Sequence, residues 1–330
     1  MPAFISVVIP VRNGARTIAA CLDAVLASSY ERFEVIVVDD GSADATAEIA
    51  SRFPCRLVRL EGRSGASAAR NAGGREASGE ILFFIDADCM VLPDTLRMVD
   101  RSMAADRSVV IGGSYTPLPF DPGFFNEFQS LFINYSELKS PVPDYVASHA
   151  MAIGRAEFLA SSGFPEDFMP ILEDVEFSHR LRRSGRTLRM EPSILVRHSF
   201  GFGLKESLSN AFRKSCYWTA YSIVNRDLLR DSGTASVELK ADVVCFGLSA
   251  AAAAASVLAG RELLLAAFLV QVANLWTSRR LIAAFLRHRG TAFGLAATLY
   301  YALVYAPAVG LGGLAGVLHH VSCTKEAVSE

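Results

Sequence analysis

The sequence has little of what marks several common protein classes. Its six cysteines, Cys21, Cys55, Cys89, Cys216, Cys245 and Cys323, form no C-x-x-C pair. That argues against a disulfide framework or a zinc motif and suits a reducing compartment, where thiols serve as small apolar side chains. Net charge is only −2, with 32 basic against 34 acidic residues, so no general basic excess points to nucleic acid. No repeat of solenoid length and no low-complexity linker interrupts the chain. A strand-like run from Phe4 to Pro10 opens it, without the charged leader and cleavage site of a signal peptide. What is in excess is apolar character: 51% of residues are hydrophobic and mean hydropathy is +0.30, with the surplus after residue 240.

From Met1 to about Ser114, strand and helix patterns alternate. Ile5–Ile9, Val35–Val38, Arg56–Leu60, Ile81–Ile85 and Val109–Ile111 read as strands, and Thr17–Ala27, Gly65–Ala77 and Pro93–Ala105 as helices. Such alternation implies a mainly parallel sheet wrapped by helices, because parallel neighbours need crossovers. From Thr116 to Tyr145, five prolines interrupt a run of aromatics and break the periodicity, which predicts an irregular lid or membrane-facing segment. Order resumes at Val146–Ile153, followed by helices at Arg155–Ser161 and from Glu173, and by two short strands, Thr187–Met190 and Ile194–Val196.

Leu204–Asn225 is amphipathic, with Lys205, Arg213 and Lys214 on its polar positions and Tyr217, Trp218 and Tyr221 following. This pattern fits a helix lying on an anionic membrane surface and equally a helix packed on a folded domain. Ala241–Gly260 carries Asp242 as its one charge and is long enough to span a bilayer. Leu263–Thr277 is shorter, and Thr291–Leu318, with Pro307, is one kinked span or two half-spans. Arg226, Arg230 and Lys240 precede the first span, and Arg279, Arg280, Arg287 and Arg289 follow the second, which places both groups and the N-terminal domain on the cytoplasmic side. The expected organisation is a catalytic domain at 1–203, an interfacial helix and connector at 204–240, membrane helices at 241–320 and a polar tail at 321–330.

Chemistry concentrates at strand ends. The apolar run Ile81–Ile85 stops on Asp86-Ala87-Asp88, and Val35–Val38 stops on Asp39-Asp40-Gly41-Ser42. In an open α/β sheet the ligand crevice lies at the carboxyl ends of the strands, and paired acids there attract a hard divalent cation. An isolated D-x-D is equally a turn that caps the next helix. Glu173-Asp174 opens another helix with acids in its first turn, where the helix dipole favours them.

Together, several motifs in fixed order resemble glycosyltransferase family 2, the inverting transferases of GT-A fold, over about residues 4–200. They are Ser6–Asn13, Val37–Ser42, Gly65–Gly73 with Ala77–Glu80, Asp86-Ala87-Asp88, and Glu173-Asp174 with Arg180–Gly185. The resemblance implies a Rossmann-like α/β domain followed here by transmembrane helices. It implies nucleotide-sugar contacts from Pro10, Arg12, Asn13, Asp39, Asp40, Arg70, Asp86, Ala87 and His198. Asp88, with Asp86, would hold Mg2+ or Mn2+, and Asp174, aided by Glu173, would serve as base toward the acceptor. The activity expected is metal-dependent transfer of one hexose from a UDP- or GDP-sugar to a lipid or polyprenyl-linked acceptor at the cytoplasmic membrane. Two departures stand out: the Q-x-x-R-W motif of processive synthases is missing near Asn210–Trp218, which disfavours an exopolysaccharide synthase, and His149 stands where many relatives carry Asn. A non-catalytic nucleotide-binding membrane subunit is the alternative from a different class.

Overall fold

The computed structural model describes residues 1–329, and the side chains of residues 1–321. Two compact units emerge. The first comprises Met1–Pro122 and Glu137–Gly201; the second comprises Gly123–Ser136 and the chain from Phe202 onward. The boundary expected at 203 thus falls at Gly201, and residues 123–136 group with the second unit.

In the first unit the chain runs β1 (Ile5–Val11), α1 (Ile18–Leu26), β2 (Phe33–Asp39), α2 (Thr46–Ala50), β3 (Arg56–Arg59), α3 (Ala66–Glu76), β4 (Ile81–Phe84), β5 (Cys89–Val91), α4 (Thr95–Met103) and β6 (Val110–Tyr115). After α5 (Phe124–Leu138) come β7 (Met151–Gly154), α6 (Arg155–Ala160), α7 (Glu173–Arg183) and β8 (Leu188–His198). The eight strands form one sheet in the order β3-β2-β1-β4-β7-β6-β8-β5. β1, β2, β3 and β4 are mutually parallel, whereas β7 runs antiparallel to both β4 and β6, and β5 antiparallel to β8. The sheet is therefore mixed where the alternation predicts a mainly parallel one. β1 and β4 are buried at every position, which is why their sequences show unbroken apolar runs.

Two corrections to the sequence expectations have local causes. The segment 116–145 contains α5, because Pro117, Pro119 and Pro122 precede it, Pro141 and Pro143 follow it, and none falls within it. Phe124, Phe128 and Phe132 then recur every four residues on one helix face. The two short strands expected after residue 187 are one strand, β8, whose pairing with β6 shifts register between Gly112 and Ser114. The small residues of α3 set its closeness to the sheet: a Cβ on Gly73 would sit 2.4 Å from Val8 Cγ1, and one on Gly74 2.3 Å from the Phe158 ring.

The second unit contains α8 (Leu204–Asn225), α9 (Val237–Ala259), α10 (Glu262–Thr277), α11 (Arg279–Tyr300) and α12 (Ala306–Ser329). α9 and α10 pack against each other as a hairpin, and α8 packs along α12. That packing depends on glycine, since a Cβ on Gly312 or Gly316 would lie 2.3 Å from backbone oxygens of α8, those of Phe212 and Cys216. Phe128 and Phe132 meet Tyr305 with ring centroids 5.3 and 5.7 Å apart, and Glu127 accepts two hydrogen bonds from Arg289 at 2.7 and 2.9 Å. Two stretches, Val237–Ala259 and Arg279–Val321, are long and apolar enough to cross a membrane, although backbone at Gly290 breaks the second. A π-helical turn at Tyr301–Tyr305 precedes Pro307 and accommodates the missing N–H and the ring. The expected tail at 321–330 continues α12 as far as Ser329, and Glu330 lies outside the described residues.

Candidate active site

Because β1, β2 and β4 are parallel, their carboxyl ends emerge on one side and bring Pro10–Asn13, Asp39–Asp40 and Asp86–Asp88 together. They border a cavity of about 700 Å³, in the range typical of small-molecule sites. Pro10, Arg12, Asn13, Asp40, Arg70, Asp86, Ala87, Asp88 and Glu173 line it. Asp39, Asp174 and His198 are adjacent in sequence to lining residues but do not themselves line it.

Arg70 is the centre of the arrangement. It projects from α3, and its guanidinium donates to Asp86 Oδ1 at 2.7 Å and to Glu173 Oε1 at 2.8 Å while its Cζ lies 5.4 Å from the Phe164 ring centre. The side chain is only 5% exposed, against 33% for Asp86 and 17% for Glu173. Phe164 belongs to a cluster with Phe84, Phe158 and Phe177, which fixes β4, α6 and α7 against one another. Asn71, the next residue of α3, both donates to and accepts from the Phe164 backbone at 2.8 Å and so holds the turn before α7. Removing one partner of a buried ion pair costs about 3–5 kcal/mol. Arg70→Ala should therefore lower stability by about 3 kcal/mol, the low end because Asp86 keeps solvent access. Arg70→Lys, which keeps the charge but cannot fork between two carboxylates, should lie between the two; urea midpoints compare them.

Where the ends of β1 and β2 meet, backbone needs consume much of the polar set. Asp39 accepts from the Ser42 N–H at 3.0 Å. Asp40 accepts from the backbone of Ser64 and Gly65 at 2.5 and 2.9 Å, and thereby pins the loop ahead of α3. Asn13, in the left-handed region at φ 53°, accepts from Ala43 N–H at 2.9 Å and fixes the loop after β1. Arg12, Arg16 and Arg63 line the cavity and supply positive charge there.

Asp86 and Asp88 differ electrostatically. Burial would raise both, but Arg70 and then His149 hold Asp86 below the usual carboxylate range, while Asp88, beside the negative Asp86, is raised. Asp88 Oδ1 lies 3.4 Å from His198 Nε2. A carboxylate left with like charge, next to an imidazole nitrogen and open to the cavity, is a donor set that fits a divalent cation. Asp86, with one oxygen on Arg70, is the less available of the two. Across the cavity, Leu172 adopts φ 75° just ahead of α7 and turns the chain into Glu173-Asp174. Asp174 Oδ2 accepts from the Ser148 N–H at 3.1 Å, and burial, then the adjacent Glu173, raise its pKa to about 6.

Apart from His149, which departs from the family pattern, the other residues at the site are ones that sequence reasoning did not single out. His149 Nε2 lies 3.4 Å from buried Glu137, and the imidazole stacks on Tyr115 at 4.0 Å; burial pulls its pKa down, but Glu137 with Asp86 and Asp174 together raise it. Tyr115 in turn meets His198 edge-on at 4.8 Å. Arg16, Arg63, Phe168 and Met169 complete the cavity wall. Only the arginines carried a signal, as cations near the first and third strand ends.

Residues 6–158 match the family described as Glycosyl transferase family 2. Glycosyltransferase AglE of Haloferax volcanii is 46% identical over 203 residues, which cover 59% of this chain and 66% of AglE, just under two thirds of its length. Among solved structures, the mannosyltransferase PcManGT from Pyrobaculum calidifontis, in complex with GDP-Man and Mn2+, superposes with a TM-score of 0.57 at 18% identity and covers 97% of this chain and 88% of that one. GalNAc-T7 with UDP, GalNAc and Mn2+ reaches a TM-score of 0.50 at 17% identity over 66% of this chain and 50% of its own. These likenesses establish the GT-A fold.

Proposed function

Since the chain belongs to glycosyltransferase family 2 through residues 6–158, we propose that it is an inverting, metal-dependent hexosyltransferase. It moves a single sugar from a UDP- or GDP-sugar to a lipid or polyprenyl-linked acceptor at the cytoplasmic face of a membrane. The observation that carries this reading is the Arg70 bridge, which fastens the D-x-D strand end to Glu173 on opposite walls of one cavity. Donor and acceptor chemistry thus share a single pocket.

Arg12, Arg16 and Arg63 meet the diphosphate, and Asp40 with its pinned loop shapes the nucleoside end. A Mg2+ or Mn2+ ion held by Asp88 and His198 would neutralise the charge that gathers on the departing diphosphate. Asp174 accepts the proton of the acceptor hydroxyl as its oxygen attacks the anomeric carbon opposite the breaking bond. Glu173, tied to Arg70, orients the acceptor. Both the GDP-linked and the UDP-linked fold neighbours were solved with Mn2+, which supports the metal and leaves two nucleotide classes to test.

The acceptor class rests on the second unit. Its two membrane-length apolar stretches and the short helix between them, with basic residues grouped before the first span and after α10, support a multi-pass anchor with the catalytic unit in the cytosol. The purified full chain in detergent, incubated with Mn2+ or Mg2+ and a panel of UDP- and GDP-sugars, should consume one donor and add one residue to a polyprenyl phosphate or glycolipid. A product ladder would instead favour polysaccharide synthesis. Consumption of no donor with either metal would refute the enzyme reading.

A further inference from the structure

The antiparallel register of β5 on β8 pairs Cys89 directly with His198. Residues opposite one another in such a pair project from the same face, with Cβ atoms about 4.5–5.5 Å apart. Asp88 immediately precedes Cys89, and the Ser199 N–H donates to the Asp88 carbonyl at 2.8 Å, which closes the end of the ladder. A carboxylate, a thiol and an imidazole are thereby gathered at one point. Asp88 Oδ1 lies 3.4 Å from His198 Nε2 and 3.8 Å from Cys89 Sγ, and the three ligand atoms all lie within 4.8 Å of one another.

These separations can be compared with a zinc tetrahedron. Bond lengths of about 2.0 Å to oxygen and nitrogen and about 2.3 Å to sulfur give edges of about 3.3 Å for O···N and about 3.5 Å for O···S and N···S. Two of the edges are nearly in place, and the third is at most 4.8 Å. We propose that Asp88, Cys89 and His198 form a three-ligand site for a thiophilic divalent cation such as Zn2+, with Asp88 the ligand that borders the cavity. On binding, the metal–sulfur bond replaces the Cys89 S–H bond, whose proton passes to solvent.

A site of this composition selects differently from an oxygen-only site. Mg2+ gains nothing from sulfur, and Mn2+ stands at the weak end of the divalent series, whereas Zn2+ and Co2+ bind N, O and S ligands more tightly. Zinc therefore occupies Asp88 and His198 in place of the catalytic ion. The inference shares those two residues with the proposed transferase chemistry, but binding is read here without turnover, so failure of one leaves the other standing or falling on its own test.

The experiment uses the full chain in detergent, stripped of metal and titrated with Co2+ and then Zn2+. Co2+ should produce a sulfur-to-metal charge-transfer band, and Zn2+ should erase it. Loss of even an outer partner of a metal ligand costs about 10- to 100-fold in affinity, so Cys89→Ser should lose the band and weaken Zn2+ by at least about 100-fold. Cys21 is the neighbouring control, because its buried thiol donates to the Asp86 carbonyl at 3.8 Å and takes no part in the cluster; Cys21→Ser should keep the band. Unfolding curves of Cys89→Ser and Cys89→Ala confirm that a folded protein is being read. A wild-type chain without the band, a Cys89→Ser protein that retains it, or a band lost in Cys21→Ser would each overturn the proposal.

Discussion

Asp88→Asn should lower kcat for sugar transfer by about 10³-fold with little change in thermal stability. The size follows from where charge develops: the departing diphosphate needs a counter-charge, and loss of one transition-state stabilising group typically costs 10²–10³-fold. Asp88 is the acid of the pair that has no arginine of its own, since Arg70 is committed to Asp86 and Glu173. The stability expectation follows from the same asymmetry. Beside Asp86, the Asp88 carboxyl is raised first by burial and then by that neighbour, so ionising it opposes folding and a neutral amide relieves the opposition. Asp86→Asn is the informative contrast, because it takes a carboxylate from Arg70 and should reduce both activity and stability. Transfer assays, Mn2+ titrations and unfolding curves on the two variants separate the roles. Equal activity in Asp88→Asn and the parent would remove Asp88 from the chemistry.

The acidic strand ends were legible in the sequence because each is local: a buried strand announces itself by an unbroken apolar run and ends where the carboxylates begin. Partners joined across the sheet were not. Arg70 reaches Glu173 across 103 positions, and that bridge exists only because Asn71 and the phenylalanine cluster seat α7 beside α3. The sequence offers Arg70 as a phosphate or base contact, while the structure gives its guanidinium two carboxylates. Cys89 and His198 likewise become neighbours through the register of an antiparallel pair that strand-helix alternation does not foretell.

The helix α5 shows a different limit. Its phenylalanines recur every four residues, but closely spaced prolines on either side mask the period when the segment is read as a whole. The glycines of α12 show a third limit: at Gly312 and Gly316 they admit the backbone of α8, a role their positions in an apolar stretch do not announce. Glycine spacing alone does not distinguish a kink from a close helix contact.

Asp174→Asn should reduce kcat by at least about 10²-fold, the loss typical of a missing general base. Its pH dependence gives a second, independent signature. Only the ionised carboxylate accepts a proton, and burial followed by the charge of Glu173 raises the Asp174 pKa to about 6. The rate should therefore hold at and above neutrality and fall about tenfold per unit below pH 6, and the Asp174→Asn variant should lose that limb along with the rate. The sign for stability is opposite. A carboxyl that binds its proton more tightly in the folded state makes folding less favourable as pH rises through its unfolded value toward 6, so removing the charge should not destabilise the protein at neutral pH. Glu173→Gln provides the comparison, for Glu173 is on the cavity wall and bound to Arg70, and its loss should raise KM and lower stability by releasing the guanidinium. If the acid limb survives in Asp174→Asn and vanishes in Glu173→Gln, the base is Glu173. If both variants turn over near the parental rate, the acceptor arrives already ionised, as a lipid phosphate does, and the two acids serve only to position it.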